Sequence, residues 1–269
     1  MTVRFELPSE HPHVAVVTID RPAHANSLDP PTIRGLADAW RRAQGDAEIR
    51  AVVLTGAGER VFCAGMDMKT TIPASQRLAR GERVDEETFA ALRDVGVAIL
   101  AGFDVGKPIV CAVNGHCRAV GFDLMLATDV RFTVPDATFA LEEVARGLYP
   151  TGNATVLLPR QIPWVHAQAL LLTGRPISAE QAREIGLVNA VVLPEDLLAV
   201  ALDTADAIAG NAPLAVQATR RGVRELRDLP LADAYRRQEE IGRPLRATQD
   251  AREGQRAFVE KRRPVWRGR

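Results

Sequence analysis

Apolar residues along this chain gather first in short unbroken runs and only later at helical spacing. The run HVAVVTID (His13–Asp20) is brief and β-branched, which predicts a strand. A polar turn, RPAHANSL, follows, and Asp29 then stands ahead of Pro30 and Pro31 as a helix N-cap. Ile33, Leu36, Ala37 and Trp40 recur on one face, so an amphipathic helix is expected over Pro31–Gly45. The runs Ile49–Gly58 and Pro108–Gly115 are apolar throughout, as strands buried on both faces are. Asp129–Val134 reads as one more strand. Strands alternating with helices predict an α/β fold.

The stretch PASQRLARGERVDEE (Pro73–Glu87) has little periodicity and reads as a mobile loop, after which Phe89, Leu92, Val95 and Ile99 restore a helical face. Ser178 and Gln181 form a capping box closed by Gly186. From about Glu195 the pattern is helical alone: Leu197, Leu198, Ala201, Ala205 and Ile208 share a face, and a break falls at Gly242-Arg243-Pro244. The chain therefore divides into an α/β core over 1–194 and a helical region over 195–269.

With 269 residues, 46% of them hydrophobic, the chain can bury a core that needs no disulfide or metal staple. Its 34 basic and 34 acidic residues cancel, so no overall field draws it toward nucleic acid. The one basic cluster is the C-terminal EKRRPVWRGR. No apolar run is long enough to span a membrane, and MTVRFELPSEHPHV lacks the apolar centre of a signal peptide. Cys63, Cys111 and Cys117 have no metal-ligand spacing and fit buried free thiols in a reducing compartment. A cytoplasmic location is expected, without a metal site, a membrane or a nucleic-acid partner.

Three stretches could carry chemistry. In VFCAGMDM, the Ala64-Gly65 pair lets backbone pass close to a ligand and leaves N–H groups at a strand end. Small residues in a turn also serve packing alone. In VNGHCRAVGFDLMLATD, Val120 falls near a helix N-terminus, where unpaired N–H groups can stabilise a developing oxyanion. Asp123 follows one turn later on the same face. It could merely complement the helix dipole, but the surrounding helix is too apolar for a solvated surface. In TFALEEVARGLYPTGNA, Glu142 and Glu143 are flanked by Leu141 and Val144, so one acid can point inward while the other faces water.

In this order the stretches resemble the crotonase superfamily, whose namesake is enoyl-CoA hydratase. The resemblance extends over almost the whole chain through RPAHANSL, RAVVLTGAGERVFCAGMDM, KPIVCAVNG, FALEEVARGLYPTG, LLLTGRPISAEQAREIGLVNAVV and AFVEKRRPVWRGR. It implies a spiral of ββα units with a helical C-terminal region that forms trimers, often paired into hexamers. It also implies an acyl-CoA thioester substrate whose carbonyl oxygen is gripped by the N–H groups of Met66 and Val120. The hydratase carboxylates would be Asp123 and Glu143, with Glu143 as principal base and proton shuttle. CoA would run along backbone of Ala23, Ala25, Ala64, Gly65, Asp67 and Met68. Phe258 and Lys261 would reach its nucleotide end from a neighbouring subunit. No cofactor is implied beyond the CoA that the substrate carries.

The activity this implies is reversible hydration of a 2-enoyl-CoA to a 3-hydroxyacyl-CoA. Double-bond isomerisation, thioester hydrolysis and weakly catalytic acyl-CoA binding are the alternatives. Val120 stands where the family usually has glycine, and a positive φ there would strain a β-branched residue. Asp123 replaces the usual glutamate, setting its carboxyl about 1 Å back, a shift that can cost on the order of a hundredfold in rate. Thr151, Asn153 and Ala154 interrupt a loop that is usually glycine-rich.

Overall fold

The computed structural model describes residues 2–269. Strand β1 (Val3–Glu6) pairs antiparallel with β2 (Val14–Ile19), every residue of which is buried. Helix α1 (Pro30–Gly45) opens where the sequence pattern puts it: the Asp29 carboxylate accepts the Thr32 N–H at 3.0 Å. Trp40 on its buried face donates its indole N–H to the Ala98 carbonyl at 2.9 Å, and Lys107 donates to the Ala43 and Asp46 carbonyls at its C-terminal end. Next come β3 (Ala51–Gly56) and β4 (Val61–Cys63), and then α2 (Thr71–Ala79), α3 (Glu86–Arg93) and α4 (Val95–Ala98).

Strands β5 (Ile109–Val113) and β6 (His116–Arg118) lead into α5 (Val120–Leu126). Strands β7 (Val130–Thr133) and β8 (Thr138–Ala140) lead into α6 (Ala154–Gln161) and α7 (Trp164–Thr173). Then follow β9 (Ile177–Ser178), α8 (Ala179–Glu184) and β10 (Ala190–Val191). The chain ends in α9 (Leu197–Ala209), α10 (Pro213–Leu226), α11 (Leu231–Gly242) and α12 (Gln249–Val259).

Two sheets organise these elements, one in the order β1-β2-β3-β5-β7-β10 and a smaller one in the order β4-β6-β8-β9. β3, β5 and β7 lie parallel in the first sheet, while β4, β6 and β8 lie parallel in the second. Each strand pair advances the chain by one place in both sheets before helix returns it. This is the expected spiral of ββα units. Strands β3 and β5, almost wholly buried, explain the unbroken apolar runs. The three cysteines are buried and free, and β4 pairs with β6 so that Cys63 lies opposite Cys117.

The loop read over Pro73–Glu87 is largely helical instead. The Asp67 carboxylate accepts the Lys69 and Thr70 N–H groups at 2.8 and 3.0 Å just ahead of α2, and Asp85 caps α3 through the Thr88 N–H at 2.8 Å. Only Thr71 and Ala74 of α2 are buried, too few to write a period into the sequence. In the C-terminal third, α9 presses Leu197, Ala201, Ala205 and Ala209 inward and packs on β3, β5 and β7, so it closes one face of the larger sheet. Among the described residues no helix is long and apolar enough to cross a membrane.

Candidate active site

Met66 and Val120 each stand three residues beyond one of the paired cysteines, Cys63 and Cys117. Each follows a residue of positive φ, Gly65 at 94° and Ala119 at 47°. A β-carbon on Gly65 would lie 3.1 Å from the Ala119 β-carbon and 3.5 Å from the Val120 nitrogen, so the two turns touch. Among the described residues, neither the Met66 nor the Val120 N–H is taken by a protein acceptor. Val120 is the first residue of α5, where the opening amide has no intrahelical partner. Two free donors at one crossing can grip an oxygen on which negative charge develops.

The strain expected at Val120 falls on Ala119, because Val120 is already helical. An alanine held at such an angle costs about 1–3 kcal/mol. Gly121 supplies the close approach that the glycine-rich pattern serves: a β-carbon there would meet the Cys63 carbonyl oxygen at 2.6 Å. α5 therefore docks directly onto the end of β4.

Asp123, one turn into α5, is 1% exposed. Its Oδ1 accepts the Ala154 N–H at 2.6 Å, and Gly152 lies over the carboxyl, where a β-carbon would be 2.3 Å from Oδ2. Burial pushes the Asp123 pKa up to about 7 against the pull of the Ala154 and Asn153 N–H groups, and the Glu143 charge adds to the rise. Glu143 is half-buried beyond β8, and its Oε2 is buried without a hydrogen bond. Burial raises its pKa too, its own N–H opposes, the Glu142 charge adds, and Arg146 lowers it. Glu142 turns toward Arg146, at 3.8 Å. The adjacent glutamates thus divide, one inward and one outward.

The RPAHA and AGMDM segments form one wall. The Ala64 N–H donates to the Ala25 carbonyl at 3.1 Å, and the Leu28 N–H to the Gly65 carbonyl at 2.8 Å. Arg21 braces the wall, with Nη1 on the Asp67 carboxylate at 2.7 Å and Nε on Asp29 at 3.0 Å. Ala23 and Met68 are exposed on it. Asp67 has no free backbone group to offer a ligand: its N–H donates to the Leu28 carbonyl and its carbonyl accepts the Ile72 N–H. Burial alone would raise its carboxyl, yet Arg21 and the Lys69 and Thr70 amides hold it well below the usual range.

Phe258 and Lys261 stand apart at the end of α12, Phe258 at 86% exposure, and within one chain neither side chain hydrogen-bonds to this wall. Two residues that shape this site escape the sequence pattern. Arg21 looks like part of an ordinary turn. Asn153 is visible only as a polar residue in a loop that is usually glycine-rich.

A two-sheet ββα spiral with a buried Asp123, a half-buried Glu143 and paired free amides has the form of a crotonase-superfamily enzyme. The chain belongs to the Enoyl-CoA hydratase/isomerase family, which it matches over residues 9–269. It is 40% identical to enoyl-CoA hydratase EchA19 of Mycobacterium tuberculosis, over 96% of this chain and 94% of that protein. It is 42% identical to (E)-benzylidenesuccinyl-CoA hydratase of Thauera aromatica, over 95% and 96%. Among solved structures it is similar to an enoyl-CoA hydratase from Bacillus anthracis, with TM-score 0.89 and 30% identity over 100% of both chains. An enoyl-CoA hydratase from M. tuberculosis H37Rv gives TM-score 0.86 and 37% identity over 100% of this chain and 99% of that one.

Proposed function

We propose that this protein is an enoyl-CoA hydratase that adds water reversibly across a 2-enoyl-CoA to give a 3-hydroxyacyl-CoA. The observation that carries this reading is the pair of acids with raised pKa, Asp123 and Glu143, beside two unclaimed N–H donors. Glu143 takes a proton from water as its oxygen bonds to C3. The C2=C3 electron pair moves toward the thioester oxygen, where the Met66 and Val120 N–H groups hold the charge. Losing one such donor costs roughly 3–4 kcal/mol in other enzymes. Glu143 then delivers the proton to C2, and Asp123 orients the water. Each acid disfavours the other's charge, which keeps proton donor and acceptor available near neutral pH.

The reaction changes no net oxidation state, so it calls for no redox cofactor. The Arg21-braced wall around Ala23, Ala25, Ala64, Gly65, Asp67 and Met68 would receive CoA, with Asp67 as brace and the others nearer the ligand. A homotrimer or hexamer would bring Phe258 and Lys261 of a neighbouring copy to the nucleotide; the exposed Phe258 and Val259 on α12 support that arrangement. The three buried free thiols suit a cytoplasmic setting.

The test follows the loss of enoyl-thioester ultraviolet absorbance with short-, medium- and long-chain 2-enoyl-CoA, with mass spectrometry of the products. Rapid formation of 3-hydroxyacyl-CoA, lowered about a thousandfold by Glu143→Gln, is the expected result. Binding of CoA thioesters without hydration would overturn it in favour of another reaction of the superfamily.

A further inference from the structure

The chemistry above leaves one buried polar side chain beside the acids unused. Asn153 is 6% exposed and immediately precedes α6. Its side-chain amide donates to the Ile99 carbonyl at 2.8 Å and to the Asp123 carbonyl at 2.9 Å. Ile99 lies just past α4 and Asp123 lies within α5, so one amide joins three elements. The Asn153 carbonyl accepts the Val156 and Leu157 N–H groups at 3.2 and 2.7 Å, which locks the residue into the first turn of α6.

An asparagine before a helix ordinarily turns its side chain back to cap that helix. Asn153 makes no such bond. The α6 N-terminus is capped instead by Asp123, whose Oδ1 takes the Ala154 N–H. The two residues have in effect exchanged tasks, the acid capping the helix and the cap residue gripping the backbone of the acid. Gly152 on one side of Asn153 covers the Asp123 carboxyl, and Ala154 on the other side hydrogen-bonds to it.

Resting on the reading of Asp123 as partner of Glu143, we propose that Asn153 is a positioning residue for hydration: it fixes the Gly152–Ala154 strip to α5 and so sets where the short Asp123 side chain presents its carboxyl. A shift of about 1 Å at such a group can cost on the order of a hundredfold in rate. Among the described residues, no hydrogen bond joins the Met66 or Val120 backbone to this strip, so its loss falls on turnover more than on substrate binding.

The experiment uses the full chain with a 2-enoyl-CoA that it hydrates. Asn153→Ala is expected to lower kcat by roughly tenfold to a hundredfold while KM changes by less than about threefold. The acidic limb of the pH–rate profile is expected to move up by about half a unit, because the Asn153 and Ala154 amides that lower Asp123 loosen. Glu143 and the neutral Cys117 thiol, the other titratable groups facing Asp123, are left in place. Asn153→Ser keeps one donor and should recover part of kcat; it also carries the same readouts if the alanine variant does not fold.

A lowered Tm with kcat per folded molecule and the pH limb both unmoved would reduce Asn153 to a structural residue and overturn the proposal. Asp123→Asn separates the two levels. If it hydrates as well as the parent chain, Asp123 has no part in the reaction and the proposal falls with it. If it is inactive while Asn153→Ala is not, the positioning role alone falls.

Discussion

Asp67 in the RPAHA–AGMDM wall and Asp123 on α5 are both almost fully hidden from water, and the fold provides for their carboxyls in opposite ways. Asp67 receives a guanidinium from Arg21, the Ser27 hydroxyl and two backbone amides, and is held ionised far below the usual range. Asp123 receives backbone amides alone, with a second acid as its neighbour, and is pushed up to about 7. Burial sets the cost of the charge in both places; the partners decide whether that cost is cancelled. A cancelled charge braces the wall, while an uncancelled one keeps a proton within reach of exchange near neutral pH.

The strongest way to break this contrast is through turnover. Asp123→Asn should lower kcat by on the order of a hundredfold, the cost of misplacing the water it orients, in the ultraviolet hydration assay. Asp67→Asn should act on stability and on KM, since it removes a brace. Its expected cost is about 3 kcal/mol, because Arg21 is left partly uncompensated; denaturant unfolding measures it. Equal losses of kcat in the two variants would erase the distinction.

The pH dependence of thermal unfolding sharpens the comparison, because the two carboxyls act with opposite sign. An unfolded aspartate titrates near 4. The folded pKa of Asp67 lies below that value, so its contribution is present above about pH 4 and fades as pH falls further. The folded pKa of Asp123 lies above it, so its contribution is fully present below about pH 4 and is lost as pH rises toward about 7. Asp123→Asn should remove the second slope and leave the first. Melting curves of parent and variant that run parallel from pH 4 to 7 would contradict the raised carboxyl.

The smallest expected effect concerns the turn between β6 and α5. Ala119→Gly relieves the positive φ and should stabilise the chain by about 1 kcal/mol, less whatever the added freedom of the unfolded state removes. A shifted urea midpoint at constant slope is the measurement. A destabilised variant would mean that the alanine methyl contributes more by packing than the angle costs.

Much of this fold is legible in the sequence alone. The runs at Ile49–Gly58 and Pro108–Gly115 are long and apolar enough to declare buried strands, His13–Asp20 and Asp129–Val134 declare strands, and Asp29-Pro30-Pro31 declares a helix start. Asp123 stood out as a charge in an apolar helix. The second sheet did not show itself, because β4, β6 and β8 are three residues each and carry no readable period. α2 hid for another reason: the amides ahead of it are satisfied by Asp67, and its thin buried face leaves little trace in composition. The positive φ at Ala119 falls where its turn meets the Gly65 turn, a tertiary fact that no local pattern states. The role of Asn153 depends on Ile99 and Asp123, 54 and 30 residues away, so the residue type alone could only mark it as unusual.

The pairing of Cys63 with Cys117 has a consequence for how such a chain can diversify. Met66 and Val120 inherit their separation from the spacing of two neighbouring parallel strands, a repeat of roughly 4.8 Å common to sheets. The stretch of α2 and α3 between β4 and α4 can therefore lengthen, shorten or be rewritten while the Met66–Val120 spacing keeps its dimensions. Loop-closure entropy resists such changes only weakly, by about 0.6 kcal/mol per doubling of length. The molecule thus separates an invariant ruler, built into its sheet, from an editable stretch beside it, where changes of substrate can accumulate without recalibrating the chemistry.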